Sequence, residues 1–114
     1  MATIRIVTDK VQMTATLNES ESAKTFYDAL PIEGSANRWG DEVYFDIGLS
    51  MPEENPQAEV APGGIAYWPP GTAFCIFFGQ TPYSPVNLLG ALDGDPEEFA
   101  QVKPGEKVRL EKVE

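Results

Sequence analysis

The sequence predicts a mainly β protein, built as a closed or nearly closed antiparallel barrel with two short helices. Short segments of alternating apolar and polar residues recur along the chain, as in strands that bury one face. Glycine, proline and aspartate residues separate these segments at spacings that give seven or eight short strands. Because the chain has no internal repeat and no regular alternation of strands with helices, a barrel fits the pattern better than a parallel sheet.

The N-terminal segments predict a hairpin followed by a helix. Residues 4–17 alternate on both sides of a short polar turn, and apolar positions in residues 23–30 then recur at helical spacing. Asn18 or Ser20 is expected to cap the helix, since either side chain can accept a hydrogen bond from a free backbone N–H group. Pro31 is expected to end it, because the residue before a proline is displaced from helical geometry.

The middle of the chain predicts a strand and a loop. Residues 42–48 alternate after a Gly-Asp turn, and residues 38–39 are the expected partner strand. Residues 50–59 combine two prolines with three glutamates, which is typical of a surface loop. We call this segment the acidic loop.

The second half of the chain predicts three apolar strands, one helix and a last strand. The apolar strands are residues 65–68, 72–78 and 86–92. The run at 72–78 is apolar at nearly every position, so we expect it to be buried on both faces. Asp95 is expected to cap a short helix at residues 96–102, and alternation at 108–111 predicts the final strand.

Length and charge limit the class of protein. The 114 residues fit one domain spanning 1–114. The net charge of −10 is uneven, because residues 31–59 contain seven acids and one base whereas residues 60–92 contain no charged residue. No cluster of lysine or arginine is present to neutralise phosphates, so we expect neither nucleic acid nor an acidic membrane surface as a partner. Without a membrane-length apolar run or a secretory pattern, the expected compartment is the cytoplasm.

The residue types exclude several kinds of catalysis. The chain has no histidine, which excludes Ser-His-Asp and Cys-His catalysis as well as a histidine base. The single cysteine, Cys75, is expected to be an unreactive core residue in its apolar surroundings. Asp41, Glu42 and Asp46 are an acid–base candidate, although carboxylates at this spacing on a strand more commonly form a solvated face. We predict no metal site and no cofactor.

Arg38 and a group of aromatic residues are the candidate site. Arg38 is the only cation between residues 25 and 102, and two interpretations are open: an ion pair with Asp41 or Glu42, or a ligand-facing guanidinium. The aromatic residues are too many for the interior of one small barrel, so some of them are expected to line a groove. The residues assigned to this groove are Trp39, Tyr44, Tyr67, Trp68, Phe78 and Tyr83.

Four segments follow the hairpin and helix in a recognisable order: Leu30-Pro31, Arg38-Trp39-Gly40-Asp41-Glu42-Val43-Tyr44-Phe45, Gly64-Ile65-Ala66-Tyr67-Trp68-Pro69 and Ile76-Phe77-Phe78-Gly79-Gln80-Thr81-Pro82. Over nearly the whole chain, this pattern resembles a family of small prokaryotic cyclophilin-like proteins of unknown function. The resemblance implies a cyclophilin-like closed eight-stranded antiparallel β-barrel with two short helices. It also makes Arg38 the candidate for the catalytic arginine of cyclophilins, although this chain has no histidine and no glutamine in the strand that follows Arg38.

Two functions are therefore expected. The first is binding of a peptide or a small carbonyl-bearing ligand in the aromatic groove, without strong catalysis. The alternative is weak peptidyl-prolyl cis-trans isomerase activity that uses Arg38. A contact between protein chains through the uncharged residues 79–85 is a third hypothesis.

Overall fold

A computed structural model describes residues 2–79, 82 and 84–113, and this part of the chain forms one antiparallel sheet of nine strands. The strands are β1 (Thr3–Val7), β2 (Gln12–Leu17), β3 (Ile32–Ser35), β4 (Asn37–Arg38), β5 (Glu42–Asp46), β6 (Gly64–Trp68), β7 (Ala73–Phe77), β8 (Asn87–Leu92) and β9 (Lys107–Lys112). One α-helix, α1 (Glu21–Asp28), and two 3₁₀ helices, Pro69–Gly71 and Pro96–Gln101, complete the described elements.

The sheet curls into a nearly closed barrel. Its strand order is β3-β9-β1-β2-β8-β6-β7-β5-β4, so the two end strands are neighbours in the chain and are joined through Ala36. Gly34 in β3 lies against the Phe45 ring in β5, and a Cβ atom at Gly34 would collide with that ring. The predicted mainly β barrel is confirmed.

The strand count differs from the prediction, with nine strands among the described residues instead of eight. The strand that the sequence did not predict is β3, which pairs with β9 from Ile32↔Leu110 to Ser35↔Lys107. Its sequence contains Gly34 and follows Pro31, and both residue types are typical of turns. The predicted helix at 96–102 is a 3₁₀ helix ending at Gln101, and Asp95 caps it by accepting a hydrogen bond from Glu97 N.

Helix α1 closes one end of the barrel. Ser20 is its N-cap, with Oγ accepting a hydrogen bond from Ala23 N at 3.1 Å. The buried face includes Phe26, whose ring stacks on Phe74 of β7 with centroids 5.2 Å apart. Removing these rings from water is worth about 1.5–3 kcal/mol each, so the helix is held mainly by packing.

Asn87 attaches the acidic loop to α1. Its side chain is buried, accepts a hydrogen bond from Glu54 N at 2.9 Å, and donates to Pro52 O at 2.9 Å and Ser22 Oγ at 3.1 Å. The Glu54 carboxylate in turn accepts from the backbone N–H groups of Glu21 and Ser22 at the start of the helix. The loop therefore has a defined path over the barrel.

Strand β7 is buried on both faces, as the sequence predicted. Phe74 and Ile76 point into the main core of the barrel. Ala73, Cys75 and Phe77 point to the opposite, outer face, where they pack in a second apolar cluster. This outer face positions the candidate site. No helix within the described residues is long and apolar enough to cross a membrane.

Candidate functional site

A pocket of about 230 Å³ opens on the outer face of the barrel, over strands β5, β6 and β7. The alternating side chains of these strands form its floor, because Tyr44 pairs with Cys75 and Glu42 pairs with Phe77 in the register of β5 and β7. The flanking loops supply the remaining walls. The described residues that line the pocket are Trp39, Glu42, Tyr44, Trp68, Cys75, Phe77, Pro82 and Val86.

A tight turn places Trp39 at the mouth of the pocket. The backbone groups of Trp39 and Glu42 exchange two hydrogen bonds of 3.1 Å across a two-residue turn. Gly40 takes a φ of +57° in this turn, a conformation that glycine adopts without steric cost. Trp39 is 42% exposed, which is high for a side chain of its size. On the opposite wall, Trp68 Nε1 donates a hydrogen bond to Ser84 Oγ at 2.6 Å.

Glu42 is the one carboxylic acid among the described residues that line this pocket. The residue is only 6% exposed, so the interpretation of Glu42 as part of a solvated face is wrong. The strand alternation places it on the covered outer face, next to β7. Burial raises the pKa of its carboxyl from the ordinary value of 4.5 to about 7, and a hydrogen bond with Cys75 opposes that rise. Glu42 therefore changes charge close to neutral pH.

Cys75 is buried next to Glu42 and remains a thiol. Burial is the main cause that raises its pKa well above 9, and the charge of Glu42 raises it further. The thiolate is the nucleophilic form, so this cysteine is an unsuitable nucleophile. Its expected burial is confirmed, but it packs in the outer cluster and lines the pocket instead of facing the main core.

Arg38 holds the second 3₁₀ helix against the barrel. Its Nη1 donates to Val102 O at 2.8 Å and to Ala100 O at 3.2 Å, and its Nη2 donates to Gly40 O at 2.9 Å. The guanidinium also lies 5.1 Å from the centroid of the Phe78 ring. None of the ion pairs between described residues includes Arg38, so neither Asp41 nor Glu42 is its partner. Backbone carbonyls therefore accept hydrogen bonds from three of the five N–H groups of the guanidinium, and Nε is buried without a hydrogen-bond partner among the described residues.

The structure brings together three of the predicted groove residues: Trp39, Tyr44 and Trp68. Tyr67 and Phe78 are buried in the main core, on the other side of the sheet. The Tyr67 hydroxyl donates to Leu49 O at 2.7 Å and accepts from Met51 N at 3.0 Å, which satisfies its polar end. The prediction that Tyr67 and Phe78 line the groove is therefore wrong. Tyr83 lies outside the described residues.

Sequence reasoning missed five lining residues: Glu42, Cys75, Phe77, Pro82 and Val86. For Glu42, a signal was present in its spacing from Tyr44, because residues two apart on a strand share a face. The prediction that β7 is buried on both faces also implied that other residues pack against its outer face. Combining the two patterns would have predicted that Glu42 is buried on that face.

Comparison with known proteins identifies the class. The family model described as cyclophilin-like matches residues 2–111, so the chain belongs to the cyclophilin-like family, and the resemblance stated from the sequence is confirmed. Several solved structures, including the following two, are similar to it. The hypothetical protein AF2241 from Archaeoglobus fulgidus, whose solution structure is known, is 34% identical over 98% of this chain and 95% of its own, with a TM-score of 0.84.

The second structure, McbB in complex with tryptophan, is 18% identical with a TM-score of 0.75, and it is similar in fold. The match covers 96% of this chain but only 44% of McbB. No protein of curated function matches the sequence.

Proposed function

We propose that this protein binds a small, mainly apolar ligand in the pocket over β5, β6 and β7, without strong catalysis. The observation that supports this proposal is the concentration of aromatic walls around one open cavity: Trp39, Tyr44, Trp68 and Phe77. Trp39 is exposed and Tyr44 and Trp68 are half-buried, so a ligand that covers these three rings removes apolar surface from water. A concave, mostly apolar pocket with few polar groups is the usual form of a small-molecule site.

The size of the pocket limits the ligand. A volume of about 230 Å³ equals the liquid volume of roughly eight water molecules, at about 30 Å³ each. One aromatic ring with a short substituent fits this space, whether it belongs to a free small molecule or to a peptide side chain.

Glu42 takes the polar role that the sequence analysis gave to Arg38. A neutral Glu42 can donate a hydrogen bond to a ligand carbonyl, and an ionised Glu42 can accept one from a ligand N–H group. Isomerase activity through Arg38 is the less favoured alternative, because three backbone carbonyls already accept hydrogen bonds from its guanidinium.

The proposal is tested by adding three ring-sized compounds, 2-phenylethanol, phenylacetamide and 2-phenylethylamine, to the protein and recording backbone NMR spectra. We expect at least one compound, at up to about 10 mM, to shift resonances of the pocket residues in a saturable way. Trp39→Ala removes part of the mouth and should weaken binding several-fold. Leu88→Ala is the matched control, since Leu88 is 38% exposed and does not line the pocket. Absence of saturable shifts with all three compounds would contradict the proposal.

A further inference from the structure

Glu42 is a buried carboxyl that takes part in none of the ion pairs between described residues. The described pocket lining contains no lysine or arginine, and residues 39–102, which include β5 to β8, contain none in the sequence. The one cation just before this range, Arg38, donates to backbone carbonyls instead. Buried carboxylates in folded proteins are normally paired or heavily hydrogen-bonded, so an ionised Glu42 lacks the counter-ion that its position calls for.

The other groups around Glu42 do not replace that counter-ion. The described neighbours from the adjoining elements are Cys75 and Phe77 on β7, Trp68 on β6, Tyr44 on its own strand, Trp39 and the exposed Asp41 in the turn, and Pro82 and Val86 in the loops. Among them only the Cys75 thiol contributes a hydrogen bond to the Glu42 carboxyl that lowers its pKa. Because burial raises the pKa of Cys75 well above 9, this thiol stays neutral near neutral pH.

The walls of the pocket suit a cation. The faces of tryptophan and tyrosine rings attract an ammonium group by about 0.5–1 kcal/mol at an exposed site and by about 2 kcal/mol when the group is desolvated. Trp39, Tyr44 and Trp68 all border the same cavity as Glu42. The surrounding chain also favours a positive ligand, because residues 31–59 contain seven acids and one base. An anionic ligand would meet repulsion both from this field and from Glu42.

From this charge complementarity we infer that the ligand is a small-molecule amine: a protonated amino group on an apolar body of about one ring, with Glu42 as its counter-ion and Trp39, Tyr44 and Trp68 around it. The inference rests on the proposed ligand-binding function of this pocket. The ligand cation would neutralise the buried carboxylate, and the ring-sized body would fill the apolar remainder of the cavity.

Four compounds with a phenyl ring and different head groups test the inference: 2-phenylethylamine, 2-phenylethanol, phenylacetamide and phenylacetate. Both tryptophans of the chain line the pocket, so tryptophan fluorescence follows binding without a label. At about pH 8, where a carboxyl of pKa about 7 is mostly ionised, we expect the amine to bind at least about tenfold more tightly than the alcohol or the amide. Phenylacetate should not bind.

The same titrations at about pH 6 supply a test that needs no mutation. The ionised fraction of a carboxyl with pKa about 7 falls from roughly nine tenths at pH 8 to roughly one tenth at pH 6. The affinity for 2-phenylethylamine should therefore fall about tenfold, whereas the affinity for 2-phenylethanol should change little. The amine itself stays protonated at both pH values.

Glu42→Gln removes the charge and keeps the shape of the side chain. We expect this variant to lose the preference for the amine and its pH dependence while it retains binding of the alcohol, which also reports that the pocket is intact. Asp41→Asn is the matched control, since it removes the same charge from an exposed neighbour, and it should keep the preference.

Equal affinities for amine and alcohol in the unmodified protein would overturn the inference but leave the proposed binding function intact. An amine preference that survives in Glu42→Gln would also overturn it. If none of the four compounds binds, both the inference and the proposed function fail.

Discussion

Replacing Glu42 by glutamine should make the protein more stable at alkaline pH and leave its stability unchanged at acidic pH. Folding raises the pKa of the Glu42 carboxyl from 4.5 to about 7. The folded state therefore holds this proton more tightly than the unfolded state does, and the free energy of unfolding decreases as pH rises between these two values. The stabilising contribution is complete below about pH 4.5 and is lost above about pH 7. Glutamine cannot ionise, so it avoids the loss.

The magnitude follows from the two pKa values of Glu42. Their difference of roughly 2.5 corresponds to at most about 3.4 kcal/mol, at about 1.36 kcal/mol for each pH unit. Because the carboxyl borders an open pocket, water reduces the effect, and we expect about 1–3 kcal/mol in favour of Glu42→Gln at about pH 8. At about pH 5 the unfolded carboxyl is already partly ionised, so the two proteins should differ by less than about 1 kcal/mol, and the difference should vanish below about pH 4.

Urea unfolding of both proteins at several pH values between about 5 and 8 measures this difference. Asp46 and Glu54 have pKa values that are lowered, mainly by hydrogen bonds from Thr72 and from Ser22, and they impose the opposite pH slope. They are present in both proteins, so their effect cancels in the difference. A difference that does not change with pH, or a glutamine variant that is less stable at pH 8, would refute the burial argument for Glu42.

Three further predictions concern parts of the protein around the site. Arg38→Ala should lower the free energy of unfolding by about 2–4 kcal/mol in urea titrations, because three backbone carbonyls lose a charged donor. Arg38→Lys should recover part of that lost free energy. A loss below about 1 kcal/mol in Arg38→Ala would contradict the role of Arg38 in holding the 3₁₀ helix. In a protease-coupled assay on a proline tetrapeptide, the prolyl isomerase activity should be at least about a hundredfold lower than that of a true cyclophilin, which corresponds to about 3 kcal/mol in the activation barrier. Cyclophilin-like turnover that disappears in Arg38→Ala would establish the isomerase alternative. Asn87→Ala should lower the free energy of unfolding by about 2–4 kcal/mol and speed amide hydrogen exchange in the acidic loop, since the three hydrogen bonds of Asn87 hold that loop. Unchanged exchange in the loop would argue against this anchoring.

The elements that local rules control were predictable from the sequence. Ser20 and Asp95 act as caps because capping needs only a side-chain oxygen and the N–H groups two or three residues ahead. The burial of both faces of β7 was evident from its apolar run. Strand β3 escaped prediction because its pairing with β9 spans more than seventy residues, while its own sequence contains a glycine and no strong alternation.

The site was less predictable, because its important contacts are distant in sequence. Arg38 donates to carbonyls 62 and 64 residues away, and backbone carbonyls leave no residue-type pattern to detect. Glu42 is buried among side chains from β5, β6, β7 and the flanking loops that line the same pocket, and this grouping cannot be inferred from the sequence of β5 alone. Trp39, Tyr44 and Trp68 were predictable as groove residues because their amphipathic rings favour a half-exposed position.

The join between β3 and β4 has a consequence for how the protein behaves in concentrated solution. Open sheets present unpaired N–H and C=O groups along their edges, and those groups recruit strands from other molecules. Here the two end strands adjoin through Ala36, and the contact of Gly34 with the Phe45 ring holds β3 against β5, the strand next to β4. The two end strands are four and two residues long, and each carries one charged residue, Glu33 and Arg38, so short borders, connectivity and charge together disfavour edge-to-edge pairing with other molecules.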